Sequence, residues 1–110
     1  MKPTRLAPEA ARELDDAAGW YESCQAGLAS RFLDELDGVL SQIRHHPSAF
    51  PRLEDMPIDL EVRRALMSRF PYALIFLELR RDIRIVAVAH AKRRPGYWIH
   101  RIKGRSGVTA

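Results

Sequence analysis

The sequence predicts an α+β domain in which two N-terminal helices pack on an antiparallel β-sheet, in the order β-α-α-β-β-β. Three observations carry that expectation. Apolar residues recur at three- and four-residue spacing up to about His46, Pro47 and Pro51 then end the helical pattern, and from Glu61 onward three apolar-rich segments follow in close succession. Helices followed by a run of strands is the pattern of helices laid on one face of a sheet. At 110 residues the chain fits one domain, residues 1–110, well short of the roughly 250 residues at which single cores tend to split.

Thr4 to Leu6 is a possible short strand at the start. The first helix is expected from Ala7 to Tyr21, where Ala7, Ala10, Leu14, Ala17 or Ala18, and Tyr21 make one buried stripe. Pro8 suits a first helical position, because its missing N–H would be unpaired there anyway, and Glu9 and Glu13 complement the positive end of the helix dipole. Gly27 marks the break before a second helix, Leu28 to about His46, whose stripe is Leu28, Phe32, Leu36, Val39, Leu40 and Ile43. The prolines stop it by lacking an amide donor and by disfavouring a helical residue before them. Three strands are expected at Val62–Phe70, Tyr72–Leu79 and Ile83–His90. The last alternates Ile83, Ile85, Ala87 and Ala89 against Arg84, Val86, Val88 and His90, and the short Arg80-Arg81-Asp82 link before it implies an antiparallel hairpin. Pro71 marks a turn or an edge position. Residues 103–110 read as a frayed tail.

Composition narrows the function. The longest apolar stretch, Tyr72 to Leu77, is far too short to cross a bilayer, and no apolar signal core follows the N-terminus, so a membrane or secretory role is not expected. A single cysteine, Cys24, forms no internal disulfide and no thiolate cluster; it reads as a small buried or half-buried hydrophobe in a reducing cytoplasm. No phosphate-cradling glycine loop occurs, adjacent His45 and His46 make a poor chelate, and neither a metal nor a cofactor is expected. Charge is uneven. Residues 1–55 carry six Lys/Arg against ten Asp/Glu, residues 56–110 carry twelve against four, and seven bases with no acid follow Asp82. Such a field draws polyanions or an acidic protein, or else it is a solvated tail. Fifteen arginines against three lysines favour planar, bidentate recognition of phosphate or carboxylate.

The stretch His90 to Arg101 gathers an imidazole, four cations and two aromatics at the end of the last strand. A histidine with arginines can move protons and stabilise the charge that develops when an RNA 2′-hydroxyl attacks phosphorus, and Tyr97 or Trp98 can stack on a base. Alternatively His90 bonds within the sheet, Trp98 packs in the core and the arginines are solvated. Arg63, Arg64 and Arg69 join this surface if neighbouring strands align them with Arg84, His90 and Arg93, and otherwise form surface ion pairs with Asp59, Glu61 and Glu78.

Taken together, Ala10-x3-Leu14, the helix ending in His46-Pro47, Val62-Arg63-Arg64-Ala65-Leu66, Phe70-Pro71-Tyr72-Ala73-Leu74-Ile75-Phe76, and Ile85 through Trp98 resemble the RelE/ParE superfamily of toxins from bacterial type II toxin–antitoxin modules, over about residues 5 to 101. The resemblance implies the α+β fold already read, growth inhibition, a cognate antitoxin, and a toxin–antitoxin hetero-oligomer. It leaves the target divided. ParE-like members poison DNA gyrase without a recognised hydrolytic site, and the spelling of the Phe70-Pro71-Tyr72 and His90–Trp98 motifs is closer to that branch. RelE-like members cut messenger RNA on the ribosome; for that activity His90, Arg64, Arg69, Arg93 and Tyr97 would match parts of the catalytic site, with Glu61 in place of a missing lysine base. A plain nucleic-acid-binding module is the third reading. For contact with the target or another anion, Arg63, Arg84, Lys92, Arg94, Trp98 and Arg101 are the candidates. For the antitoxin they are Trp20 and Tyr21 as aromatic anchors, with core packing as their alternative fate, and Arg80 and Arg81 against acidic side chains.

Overall fold

The computed structural model describes residues 1–54 and 60–102. The chain begins with β1 (Thr4–Leu6), continues through α1 (Pro8–Cys24) and α2 (Leu28–His45), and ends with β2 (Val62–Leu66), β3 (Tyr72–Glu78) and β4 (Ile83–His90). Pro8 sits in the first turn of α1 with Glu9 beside it. The buried residues of α1 are small, Ala10 and Ala17, which lets the helix backbone approach β4 closely. Between the helices Gly27 takes a left-handed φ of 86°, open to glycine at no steric cost, and the Glu22 carboxylate accepts the N–H groups of Gly27 and Ala29 to start α2. Phe32, Leu36, Val39, Leu40 and Ile43 of α2 are buried, each contributing roughly 1.5–3 kcal/mol by leaving water.

The strand order is β1-β4-β3-β2, and the sheet is mixed rather than wholly antiparallel, because β1 runs parallel to β4. The hairpin between β3 and β4 forces an antiparallel pair, but the long connection from β1 through two helices imposes no such constraint. β2 ends at Leu66, four residues before the expected limit. Beyond it the amides of Ser68 and Arg69 turn away to the Glu35 carboxylate on α2, and Pro71 has no amide to add to a ladder.

A register shift between Ile75 and Phe76 of β3 lets Val86 bulge out of β4, since Ile75 pairs with Ala87 while Phe76 pairs with Ile85. The bulge overturns the simple alternation expected for this strand. Ile83, Ile85 and Val88 face the helices, whereas Val86 and Ala87 face the other way. That outer face carries a second core of Val62, Ile75, Leu77, Val86 and Ala87, roofed by Trp98 and Ile102 from a helical turn after β4. Burial on both faces explains why β3 reads as an almost unbroken apolar run. Gly96 opens the turn with φ 77°, a left-handed backbone that favours glycine, and a Cβ there would also push the tip of the Ile99 side chain aside.

Among the described residues no helix is long and apolar enough to cross a membrane. The tail expected to fray, residues 103–110, lies outside the described residues, as does Asp59. Cys24 is exposed at the end of α1, which corrects the expectation of burial.

Candidate functional site

At the end of β4 the chain turns through Lys92, Arg93 and Arg94 and leaves a cleft of about 370 Å³ against the outer face of the sheet. Its walls include Leu66, Tyr97 and Trp98, and its cations are Arg64, Arg93 and Arg94. Leu66 stands at 66 % exposure, an unusual position for a leucine on a strand. His90 also lines the cleft, with its ring edge-on to Tyr72 at 4.9 Å. Its Nδ1 accepts the Lys92 N–H at 3.0 Å, so in the neutral ring the proton is on Nε2.

Glu13, on the far side of β4, fixes one wall of this cleft. β1 covers only Ile83 to Ile85 of the β4 edge, and beyond that point side chains take over. Glu13 Oε1 accepts the Val88 N–H at 3.0 Å, and Arg101 Nη1 donates to the Val86 carbonyl at 2.9 Å. Arg101 grips the Glu13 carboxylate with both terminal nitrogens at 3.0 Å, and the Tyr97 hydroxyl donates to Oε2 at 2.5 Å. The Arg93 guanidinium in turn lies 3.9 Å from the centre of the Tyr97 ring. Burial alone would raise the Glu13 carboxyl, but hydrogen bonds from Arg101, Tyr97 and the Val88 amide together with the Arg101 charge hold it below its ordinary 4.5. Burial and the neighbouring Glu13 carboxylate push Tyr97 well above an ordinary phenol.

The lowered Glu13 carboxyl makes stability depend on pH. This stabilisation is fully present above the unfolded value of about 4.5 and is lost as pH falls through the lower folded value. Wild-type protein should therefore lose melting temperature progressively below about pH 4.5, and Glu13→Gln should show a shallower acid slope in the same thermal scans. Identical slopes for the two proteins would mean that Glu13 does not sense the fold.

The expected site residues divide. Arg64, His90, Arg93, Arg94 and Tyr97 share the cleft, and Lys92 stands exposed on the adjoining turn. Trp98 backs the cleft wall, and the others are elsewhere. Trp98 is only 4 % exposed and packs in the outer core, so it is no stacking surface. Arg101 is committed to Glu13. Arg63 points to the opposite face of β2, where it donates to the Phe50 carbonyl at 2.6 Å and pairs with Glu61, an acid also engaged by Arg52. Arg84 lies near Asp82, six residues and roughly 20 Å along β4 from His90. Arg69 lines a separate depression against α2 with Arg31 and Glu35.

Of the two aromatic anchors, Tyr21 packs against Phe32, Phe70 and Tyr72 as a core residue. Trp20 is 64 % exposed, on a smaller hollow with Asp16, His90 and Arg93. Arg80 and Arg81 occupy the β3–β4 turn at the other end of the sheet. Glu13 as the partner of this wall escaped the sequence reading, which placed it only as an acid in the first helix; eighty-four residues separate it from Tyr97, and no local pattern joins them.

A small α+β domain with an open cationic cleft at one end of its sheet, and no metal-binding group of side chains among the described residues, is the class that fold and site define. The chain matches the family described as ParE toxin of type II toxin-antitoxin system, parDE, over residues 4–95, and it belongs to that family. It is the toxin component of a type II module, and an antitoxin partner follows from that membership. A solved structure of the chromosomal ParDE toxin–antitoxin system from P. aeruginosa is similar in fold, with a TM-score of 0.71 at 17 % identity, covering 84 % of this chain and 98 % of that one. A comparison with curated proteins gives no match.

Proposed function

We propose that this toxin arrests growth by binding DNA gyrase without hydrolysing nucleic acid, and that the cleft at the end of β4 is its contact surface. The observation that carries this reading is the state of Tyr97, the tyrosine that would match part of an RNase site. Its O–H is given to Glu13, its ring lies under Arg93, and its pKa is raised, so it is a poor proton donor or acceptor for a substrate. Arg69 and Glu61, two further members of an RNase set, are outside the cleft. Membership of the ParE family supports the same choice. The antitoxin would bind across the exposed Trp20, with Arg80 and Arg81 as contacts for acidic side chains at the opposite end of the sheet.

Purified toxin added to gyrase, ATP and relaxed plasmid should lower the supercoiling rate and trap linear DNA on denaturation; normal supercoiling without linear product removes the reading. A ribosome-dependent endoribonuclease is the second reading, favoured by Arg64, His90 and Arg93 sharing one cleft, and primer extension on translated messages would show its cuts. The plain nucleic-acid module would reveal itself by affinity that falls steeply with salt.

A further inference from the structure

Two of the cleft's three arginines, Arg93 and Arg94, sit on a loop, and loops hold charged side chains loosely unless something fixes them. Among the described residues Arg93 has no carboxylate partner within ion-pair distance; its guanidinium rests on the face of Tyr97. Tyr97 is in turn held through its hydroxyl, and the hydroxyl ends on Glu13. Glu13 itself is fixed by the Val88 amide of β4 and by the Arg101 fork. The helix α1 and the bulged edge of the sheet therefore reach the exposed Arg93 cation through one phenol.

We infer that Glu13, which lies outside the cleft, is the positioning residue for Arg93: it sets the Tyr97 ring on which the guanidinium stacks and so orients the cation toward the toxin's target. The same carboxylate takes one of the hydrogen-bonding positions a further strand would occupy on β4, so the wall of the cleft is registered directly to the sheet. The consequence for toxicity rests on the reading of the cleft as the target surface; the consequence for Arg93 does not.

The test uses full-length toxin with two substitutions. Glu13→Gln removes the carboxylate. Tyr97→Phe removes only the hydroxyl and leaves the Glu13–Arg101 pair intact, which separates positioning from loss of fold. The first readout is NMR of the Arg93 side chain, whose Cδ protons lie in the shielding zone of the Tyr97 ring in the wild type. The second is growth inhibition at matched intracellular toxin, with far-UV circular dichroism and a cooperative thermal transition as the control for a folded protein. Both variants should move the Arg93 Cδ–H signals toward random-coil positions and require about tenfold more toxin for the same growth arrest, while still unfolding in one cooperative transition. Arg93→Ala should add little once Tyr97→Phe is present, because the cation is already misplaced. Retention of the shielded Arg93 signals in folded Glu13→Gln and Tyr97→Phe overturns the inference, whatever happens to growth. Shielding lost with toxicity undiminished upholds the positioning and removes the cleft as the target surface.

Discussion

Arg101→Ala is expected to destabilise the fold by up to about 3–5 kcal/mol, the range for breaking a buried ion pair by deleting one partner, since the Glu13–Arg101 pair is mostly buried. The pair merits that range rather than the near-zero value of surface bridges, because its side chains are only 11 % and 17 % exposed and the contact is a bidentate fork. Alanine would leave the Glu13 carboxylate with only Val88 and Tyr97 as donors, and would also strip the Val86 carbonyl of its side-chain donor at the bulge. Against a total stability of about 5–15 kcal/mol for a domain of this size, that loss is a large fraction, and the melting temperature should fall by several degrees or more. Urea denaturation followed by circular dichroism measures the change, and a loss under about 1 kcal/mol would mean that solvent screens the pair. Arg5→Ala is the matched control. Its partner Asp82 is 3.4 Å away, but the Arg5 side chain is 70 % exposed, and little stability should be lost.

Legibility followed the range of the interactions. The α2 stripe of Phe32, Leu36, Val39, Leu40 and Ile43, the break at Gly27 and the bounds of β4 are local matters of period and backbone freedom, and each stands where the sequence puts it. The β4 bulge is not local. It arises from pairing with β3, and it reverses which face Ala87 and Val88 present, so strict alternation fails there. The parallel β1 and the second core under Trp98 and Ile102 likewise depend on chain segments far apart.

The site was legible as a composition and not as a constellation. The acid-free run after Asp82 supplies two of the cleft's three arginines, but nothing in it tells Arg93 and Arg94 from Arg84 at the other end of β4 or from Arg101, which is neutralised by an acid on α1. Strand parity separates Arg63 from Arg64, since consecutive strand residues face opposite sides: one is tied to the Phe50 carbonyl, the other lines the cleft. That parity was readable only in principle, because the face belonging to the cleft is set by the turn after His90.

Reversing two charges at the cleft, Arg93→Glu with Arg94→Glu, should weaken growth inhibition by at least about 100-fold, because like charges placed against an anionic surface cost several kcal/mol and each 1.4 kcal/mol is tenfold. Net charge alone does not predict this. Arg80→Glu with Arg81→Glu changes the total by the same amount, yet that turn lies at the other end of a β-ladder running from the Tyr72–His90 pair to the Glu78–Ile83 pair, roughly 20 Å at about 3.3 Å per residue. At physiological ionic strength the Debye length is about 8 Å, so a charge at one end barely alters the potential at the other. The second double variant should keep its toxicity and lose neutralisation by the antitoxin instead. Plating efficiency at matched protein levels, with and without antitoxin, separates the two. Equal loss of toxicity from both would assign the effect to the field of the whole molecule and dissolve the distinction between the cleft and the β3–β4 turn.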